Sequence, residues 1–180
     1  TIPKYLGEYF EKLKPDCFYT SVTFLRLLKT LCSKDSNIFD FFHKKDLGFI
    51  IDRIGSCGEP LAHSVGDWAI KFFKPIRKSI VNTYFQTETG GIIIAPRDED
   101  IPPKDYSCVG IPNNKIKIVQ AKKIKTNAEL KKEQIDPNEL LICEPWDGIF
   151  QKVISDRKQN YFTSSGEFRL HDVGFFDEDG

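Results

Sequence analysis

The sequence has 180 residues, of which 40% are hydrophobic and 29% are charged, so it is long enough and apolar enough to bury a core. This composition excludes a disordered charged tail, a collagen-like chain and a low-complexity linker. Lys and Arg number 26, and Asp and Glu number 26, so no net charge attracts nucleic acid or an anionic membrane. Apolar stretches such as 91–95 are far shorter than the roughly 20 residues of a membrane-spanning helix.

The chain begins at Thr1, contains no methionine and stops at Gly180 within an acidic run. These ends predict a processed fragment or an excerpt of a longer protein. Five widely spaced cysteines without a C-x-x-C pair predict buried free thiols rather than a zinc site or a disulfide scaffold. They are Cys17, Cys32, Cys57, Cys108 and Cys143. Because free thiols favour a reducing compartment, we expect a cytoplasmic protein, also nuclear if the source is eukaryotic.

Residues 1–100 alternate between helical and extended patterns. Apolar residues at helical spacing predict helices at 3–13, 23–31 and 65–73. Runs of β-branched and aromatic residues predict strands at 17–20, 49–54 and 80–85. This alternation predicts an α/β fold with a mixed, mostly parallel sheet under helical cover, and we assign 1–100 to such a subdomain.

Proline, glycine and asparagine become frequent after Pro96 and separate short strands, predicted at 115–119 and 139–143. This texture predicts a small, β-rich subdomain over 101–180, antiparallel or barrel-like. Its segment 115–132 carries seven lysines and one acidic residue. We interpret the segment as a solvated β-edge protected by lysines, with an anion-binding patch as the alternative.

Three polar clusters are candidates for a binding site. Residues 55–60 follow a predicted buried strand, where glycines let a flat ligand approach the backbone; a plain connection is the alternative. Residues 82–91 combine three threonines, Gln and Glu with aromatic residues, which suits phosphate, Mg²⁺ and a base, or else a polar hairpin. Asp172, placed before a predicted strand, suits a ribose diol or a turn, and 177–180 predict a hairpin turn.

Taken in order, these clusters resemble motifs of the AMP-forming acyl-CoA synthetases of the adenylate-forming superfamily, above all the acetyl-CoA synthetase group and its short-chain relatives. The similar segments are a Tyr-Thr strand before a helix with Arg (18–26), Gly-Glu-Pro (58–60), an aromatic pair with Gln-Thr-Glu-Thr-Gly-Gly (84–91), Pro-Trp (145–146) and an aspartate leading to Asp-x-Asp-Gly (170–180). The likeness covers nearly the whole chain.

The resemblance implies ATP-dependent activation of acetate or another small carboxylic acid, through an acyl-AMP that coenzyme A captures as a thioester. It implies catalytic roles for Thr87, at the α-phosphate, and for Glu88, which would hold Mg²⁺, while Asp172 would bind the ribose. The other implied nucleotide-binding residues are Gly58, Glu59 and Pro60 along the adenine, Tyr84 on its face, and Asn82, Thr83, Phe85 and Gln86. Cys57 and Phe85 would line the acyl pocket. The two turns are therefore expected to lie together around one adenylate.

Some positions depart from the family pattern. Phe85 replaces a tryptophan, Asn82 an aspartate, Val22 a proline, and Leu170-His171 a Thr-Gly pair. A phosphate loop is expected upstream, and a Gly-Arg element with a catalytic lysine downstream. We therefore expect part of a large N-terminal domain that needs the rest of its own chain and makes no acyl-AMP alone. The alternatives are a ligase for longer acids and a catalytically dead nucleotide-binding remnant that serves as a scaffold.

Overall fold

The computed structural model describes residues 2–34, 51–96, 106, 109–144, 146–150 and 160–178. The chain divides into two units. Unit 1 comprises Thr1–Tyr84 and Ile94–Gly110, and unit 2 comprises Phe85–Ile93 and Ile111–Gly180. The boundary near residue 100 stays a prediction about domains.

Unit 1 alternates helices and strands. Its described elements are α1 (Ile2–Leu13), β1 (Cys17–Ser21), α2 (Val22–Lys34), β2 (Arg53–Cys57), α3 (His63–Phe73), β3 (Ile80–Asn82) and β4 (Ile94–Ala95). Strands β1, β2 and β3 form a parallel sheet in that order, with Tyr19 opposite Gly55 and Gly55 opposite Val81. The predicted α/β architecture with a parallel sheet is confirmed.

The core of unit 1 lies between this sheet and helices α2 and α3. Strands β2 and β3 contribute Ile54 and Ile80, and α2 contributes Val22 and Leu25, all at most 1% exposed. Helix α2 follows β1 directly because Ser21 caps it, its Oγ accepting from the Phe24 amide at 3.2 Å. Each fully buried aliphatic side chain contributes roughly 1.5–3 kcal/mol, so this packing fixes the sheet on which the site is built.

Strand β2 differs from its prediction. Residues 49–50 lie outside the described residues, and the strand runs from Arg53 to Cys57, so Gly55, Ser56 and Cys57 belong to a strand rather than to a turn. The Tyr19 ring packs across Gly55, where an added Cβ would lie 2.4 Å from Tyr19 Cδ2. The strand predicted at 80–85 ends at Asn82 because only three of its residues pair with β2.

The described cysteines are free thiols, as predicted, but not all of them are buried. Cys32 is buried and Cys57 and Cys143 are half-buried, whereas Cys17 is exposed on β1. Cys108 lies outside the described residues.

Unit 2 contains an antiparallel sheet. Its described elements are a 3₁₀ turn (Thr87–Thr89), β5 (Ile111–Pro112), β6 (Ile118–Gln120), a second 3₁₀ turn (Ala121–Lys123), α4 (Asn127–Glu133), β7 (Glu139–Ile142) and β8 (Phe168–Val173). Strand β7 lies between β6 and β8, with Leu141 opposite both Val119 and Arg169. Leu141 is fully buried and packs with Leu130 of α4. The predicted antiparallel β lobe is confirmed.

The lysine-rich segment is not the continuous β-edge that was predicted. Only Ile118–Gln120 form a strand within it. Helix α4 begins at Asn127 because Thr126 and Glu129 form a reciprocal capping box. Lys125 is not solvated, because its Nζ lies 2.8 Å from Oε2 of Glu167 with 2% of the side chain exposed.

The third cluster also differs from its prediction. Asp172 lies inside β8 rather than before a strand, because the pairing of β8 with β7 extends to Val173 opposite Glu139. In the predicted hairpin turn at 177–180, Glu178 is in a turn, and 179–180 lie outside the described residues.

Candidate functional site

The carboxyl ends of β1, β2 and β3 lie at one edge of the parallel sheet in unit 1, the edge at which open α/β sheets bind ligands. Gly58 follows β2 with a φ of +91°, a conformation that L side chains rarely adopt. A Cβ added there would meet no atom within 4 Å. The turn therefore presents backbone next to open space.

Glu59 in this turn is engaged with helix α2. Its carboxylate accepts a hydrogen bond from the Thr23 hydroxyl and another from Arg26 Nη1 at 2.8 Å. The carboxylate thus anchors the turn to the helix, and the turn offers its backbone and the exposed Pro60 ring to a ligand.

Asn82 and Thr83 are buried at the end of β3, and their polar atoms already have partners. Asn82 accepts from Ser56 Oγ at 3.0 Å and donates to the Tyr106 carbonyl at 3.1 Å. The Thr83 hydroxyl donates to the Ser56 carbonyl at 3.2 Å. Since its only proton is used there, it accepts from the Tyr19 hydroxyl, 2.6 Å away. Both side chains hold the strand ends together.

Tyr19 stands on the other side of that contact with half of its surface exposed. Burial raises the pKa of its phenol; the hydrogen bond with Thr83 opposes that shift and the neighbouring Cys57 thiol adds to it. Tyr84, half-buried, follows Thr83 and pairs through its backbone with Ile94, at 2.9 and 3.2 Å.

The Gln-Thr-Glu-Thr string forms a 3₁₀ turn in unit 2. The fully buried Thr89 hydroxyl accepts from the Gln86 amide at 3.0 Å and lies 2.8 Å from the Gln86 carbonyl. Gly90 closes the turn with a φ of +68° and donates to the Thr87 carbonyl at 3.2 Å. The first and last residues of the turn therefore bond to each other, and Thr87 and Glu88 lie between them.

The Gln86 side chain joins this turn to strand β8. Its Nε2 donates to the Leu170 carbonyl at 2.6 Å and to Asp172 Oδ2 at 2.8 Å. Both protons of the amide are thereby used, and they fix the carboxylate of Asp172 beside the turn. The structure thus brings together Gln86 and Asp172, two predicted site residues that are 86 positions apart.

Thr87 and Glu88 are the members of the turn that face outward. Thr87 is exposed, and among the described residues its hydroxyl has no hydrogen-bond partner. Oε1 of Glu88 accepts from the Tyr161 hydroxyl at 3.3 Å, and its carbonyl accepts from the Phe150 amide at 3.0 Å. Desolvation raises the pKa of Tyr161, and the Glu88 carboxylate raises it further. We call Gln86, Thr87, Glu88, Tyr161 and Asp172 the Gln86–Asp172 cluster.

The segment around Trp146 supports the far side of this turn. Trp146 Nε1 donates to the Thr89 carbonyl at 3.0 Å. A Cβ on Gly90 would lie 1.9 Å from the Gly148 carbonyl oxygen, so only glycine fits. The Pro-Trp element of the resemblance therefore has a structural task, with Pro145 outside the described residues.

The predicted site residues fall into two groups, one in each unit. Unit 1 holds Cys57, Gly58, Glu59, Pro60, Asn82, Thr83 and Tyr84, and unit 2 holds Phe85, Gln86, Thr87, Glu88 and Asp172. Whether the two turns share one adenylate stays a prediction. Sequence reasoning missed Tyr19 and Tyr161, since no spacing signal connects them with Thr83 and Glu88, 64 and 73 positions away.

No helix among the described residues has both the length and the apolar character to cross a bilayer. No group of three or more His, Cys, Asp and Glu side chains among them is arranged to hold a metal ion.

Comparison with known sequences gives a consistent result. The family model described as AMP-binding enzyme matches residues 1–134. Acetyl-coenzyme A synthetase of Rhizobium rhizogenes is 29% identical over 177 residues, which cover 96% of this chain and 25% of that protein. Acetyl-coenzyme A synthetase of Beijerinckia indica is 31% identical over 179 residues, covering 96% and 26%. The chain spans about a quarter of the length of these relatives.

A solved structure matches over almost the whole chain. The anthranilate CoA ligase AuaEII, in complex with anthranoyl-AMP, aligns with a TM-score of 0.67 and 18% identity, over 99% of this chain and 31% of that chain. At this identity the likeness shows a shared fold.

Proposed function

This chain belongs to the AMP-binding enzyme family, and from that premise we propose that it serves ATP-dependent activation of a small carboxylic acid. The acid attacks the α-phosphate of ATP and forms acyl-AMP, with pyrophosphate as the leaving group. The thiol of coenzyme A then attacks the acyl carbon, so that a thioester forms and AMP leaves. The observation that carries the proposal is the hydrogen bond between Gln86 and Asp172, which joins two motif segments into one polar cluster.

The Gln86–Asp172 cluster would serve the ribose and the phosphates. The carboxylate of Asp172, which Gln86 holds through Oδ2, would accept from the ribose diol. The outward hydroxyl of Thr87 would donate to the α-phosphate, whose charge spreads over its oxygens in the transition state. In unit 1, the backbone of Gly58, the Pro60 ring and the Tyr84 ring would contact the adenine. Asn82, Thr83 and Glu59 would act by holding these groups.

Mg²⁺ is the metal that this reaction would use, and Glu88 would hold it. Protein sites for Mg²⁺ often supply one or two carboxylates and leave the other positions to substrate phosphates and water. Glu88 fits this pattern because it lies on an outward-facing turn, where the Tyr161 hydroxyl donates to its Oε1. The metal would neutralise phosphate charge. Tyr161 would keep the carboxylate oriented.

We propose acetate or another short acid as substrate, in the cytoplasm, where free cysteines persist. Cys57, half-buried at the end of β2, and Phe85, 39% exposed, would line the acyl pocket. The names of the sequence relatives support this choice, and each is about four times as long as this chain. We propose that the 180-residue chain needs further parts of such a protein for turnover.

The test measures acetate-dependent exchange of labelled pyrophosphate into ATP with the longest polypeptide that contains this chain, and AMP binding by calorimetry. Thr87→Ala and Asp172→Asn should each lower AMP affinity about tenfold or more, because each removes a hydrogen bond involving a charged group. Thr30→Ala and Asp177→Asn, at exposed positions, are the matched controls and should retain affinity. Equal affinity of all four variants would contradict the assigned site.

The same assay separates the alternatives. AMP binding without exchange, in a polypeptide of the relatives' full length, would favour a catalytically dead scaffold. Phe85→Gly should admit longer acids by enlarging the pocket, measured as the ratio of exchange rates with hexanoate and acetate. If the ratio of hexanoate to acetate exchange rates is the same as in the parent protein, Phe85 does not line the acyl pocket. Exchange supported better by hexanoate than by acetate in the parent would favour the longer-chain ligase.

A further inference from the structure

Strand β8 carries an unusual backbone conformation next to Asp172. His171 has a φ of +56°, in the left-handed region that disfavours residues with a Cβ. The pairing of β8 with β7 also shifts register between Glu139 and Leu141. A shift of this kind changes the direction of side chains along the strand. The backbone of β8 therefore departs from a regular strand directly before Asp172, the residue proposed to bind the ribose.

The His171 side chain is fixed by two neighbours from other segments of unit 2. Its Nδ1 lies 3.7 Å from Oε1 of Glu139, which is itself held by Arg169 at 2.8 Å. Its ring meets the Tyr161 ring edge to face, with centroids 5.8 Å apart and planes at 75°. A left-handed backbone at a residue with a Cβ persists where surrounding contacts hold it, and such residues cluster at functional sites.

His171 is connected to the Gln86–Asp172 cluster both through its backbone neighbours and through its side chain. The residues before and after it, Leu170 and Asp172, supply the two acceptors of the Gln86 amide. A single backbone conformation at His171 therefore sets the distance between those acceptors. On the side-chain side, the Tyr161 ring that it contacts carries the hydroxyl that donates to Glu88.

We propose that His171 is a positioning residue for this cluster. Its left-handed backbone aims the Leu170 carbonyl and the Asp172 carboxylate together at Gln86, and its imidazole holds Tyr161 where the phenol reaches Glu88. His171 does not touch the nucleotide. Its importance for nucleotide binding depends on the proposed function, whereas its effect on Gln86 does not.

Three variants separate the roles of the backbone and the ring. His171→Gly relieves the backbone and removes the imidazole, and His171→Ala keeps the Cβ but removes the imidazole. His171→Asn keeps a polar side chain that tolerates the left-handed region. Gln134→Gly is the matched control, because Gln134 is exposed in the same unit with a φ of +53° and lies outside the cluster.

The first measurement follows the side-chain amide resonances of Gln86 by NMR in the 180-residue chain. Hydrogen bonds to both protons predict slow exchange with solvent in the parent chain. His171→Ala should shift these resonances and speed their exchange about tenfold, because alanine disfavours the left-handed backbone. His171→Gly and His171→Asn tolerate that backbone and should largely retain the resonances. Gln134→Gly should raise Tm by about 2–4 °C and leave the resonances unchanged. A variant that changes Tm without changing the Gln86 resonances shows that these resonances do not simply report overall stability.

The second measurement is AMP affinity by calorimetry, with the same substitutions made in the longest polypeptide that contains this chain. His171→Gly and His171→Ala should weaken binding about fivefold to tenfold, and Gln134→Gly should not weaken it. Gln86 resonances unchanged in His171→Ala, or changed as much in Gln134→Gly, would overturn the positioning role. A response of Gln86, together with no AMP binding by the longest polypeptide that contains this chain, would sustain the positioning role and refute the proposed nucleotide site.

Discussion

Replacing Gly90 by alanine should distort the turn that carries Thr87 and Glu88. The added Cβ would lie 1.9 Å from the carbonyl oxygen of Gly148 and 2.9 Å from its carbonyl carbon. Both atoms belong to backbone, so no side-chain rotation relieves the contact. Since real Cβ contacts are essentially never below 3.0 Å, one of the two segments must move by about 1.1 Å.

Two costs add in this variant. A left-handed conformation, here at a φ of +68°, costs a residue with a Cβ about 1–2 kcal/mol. Forcing an extra carbon into a packed contact costs about 1–3 kcal/mol more. A total of about 3 kcal/mol corresponds to a fall in Tm of about 6–12 °C in a chain of this length.

Gly166→Ala provides the matched control in the same unit. Gly166 has a φ of +97°, and a Cβ there would meet nothing within 4 Å, so this variant incurs only the conformational cost, about 1–2 kcal/mol. Thermal denaturation followed by circular dichroism compares the two variants. The difference between them measures the contact with Gly148, and equal losses of Tm would refute the steric reasoning.

Three other predictions concern hydrogen bonds and charge. Lys125→Met should lower the free energy of unfolding in urea by about 1–3 kcal/mol, because the Glu167 carboxylate, 17% exposed, loses its cation partner. Lys123→Met, at an exposed site, should change it by less than about 0.5 kcal/mol. Burial raises the pKa of Glu167, but the Lys125 bond and a threonine hydroxyl outweigh it and hold the pKa below 4.5. The unfolded carboxylate binds protons more readily, so this stabilisation is complete above pH 4.5 and is lost as the pH falls through the lower folded pKa; Lys125→Met should weaken that dependence. Tyr19→Phe should lower Tm by about 2–4 °C, since the Thr83 hydroxyl loses its donor, worth about 1 kcal/mol.

These three predictions have clear contrary outcomes. Equal destabilisation by both lysine substitutions would show that the buried ion pair contributes nothing beyond a surface charge. An identical loss of stability on acidification in the parent and in Lys125→Met would assign the titration to other carboxylates. Tyr9→Phe, which alters a tyrosine that is 61% exposed, should leave Tm unchanged; the same loss in Tyr19→Phe and Tyr9→Phe would remove the bond to Thr83 as a cause.

Local sequence patterns located most of the elements but not where strands end. β-Branched and aromatic runs predicted three strands in unit 1, and all three form one parallel sheet. The end of β2 was misplaced because glycine, serine and cysteine suit a turn when they are considered alone. Gly55 remains in the strand because the Tyr19 ring occupies the space above it. That reason lies on another strand, which local periodicity does not contain.

Helix α4 shows a signal that was present in the sequence and was not used. Thr126 and Glu129 have the spacing of a capping box, which predicts a helix start. The high lysine content favoured a solvated edge, but lysine content alone does not distinguish a buried lysine from exposed ones. Lys125 differs from its neighbours because Ser165 and Glu167 surround its ammonium group in the fold. Its burial depends on contacts about 40 positions away.

The sequence predicted which residues belong to the candidate site but not which of them contact each other. The resemblance named both Gln86 and Asp172, whereas their 2.8 Å hydrogen bond depends on the path of β8. The replacement of a Thr-Gly pair by Leu170-His171 left the backbone before Asp172 open at the sequence level. The structure has a left-handed backbone at His171. Its contacts with Glu139 and Tyr161 come from tertiary packing.

The string from Gln86 to Gly90 divides into residues that build the turn and residues that face outward. Gln86 and Thr89 bond to each other, Gln86 also bonds to β8, and Gly90 fits only because it lacks a Cβ. These residues cannot offer the same donors to a phosphate, because their polar atoms are already used. Within the described part of the chain, the Thr87 hydroxyl has no hydrogen-bond partner, and the Glu88 carboxylate accepts from Tyr161 through Oε1. Substituting Gln86, Thr89 or Gly90 should therefore lower both stability and nucleotide affinity. Substituting Thr87 or Glu88 should lower nucleotide affinity with little change in Tm.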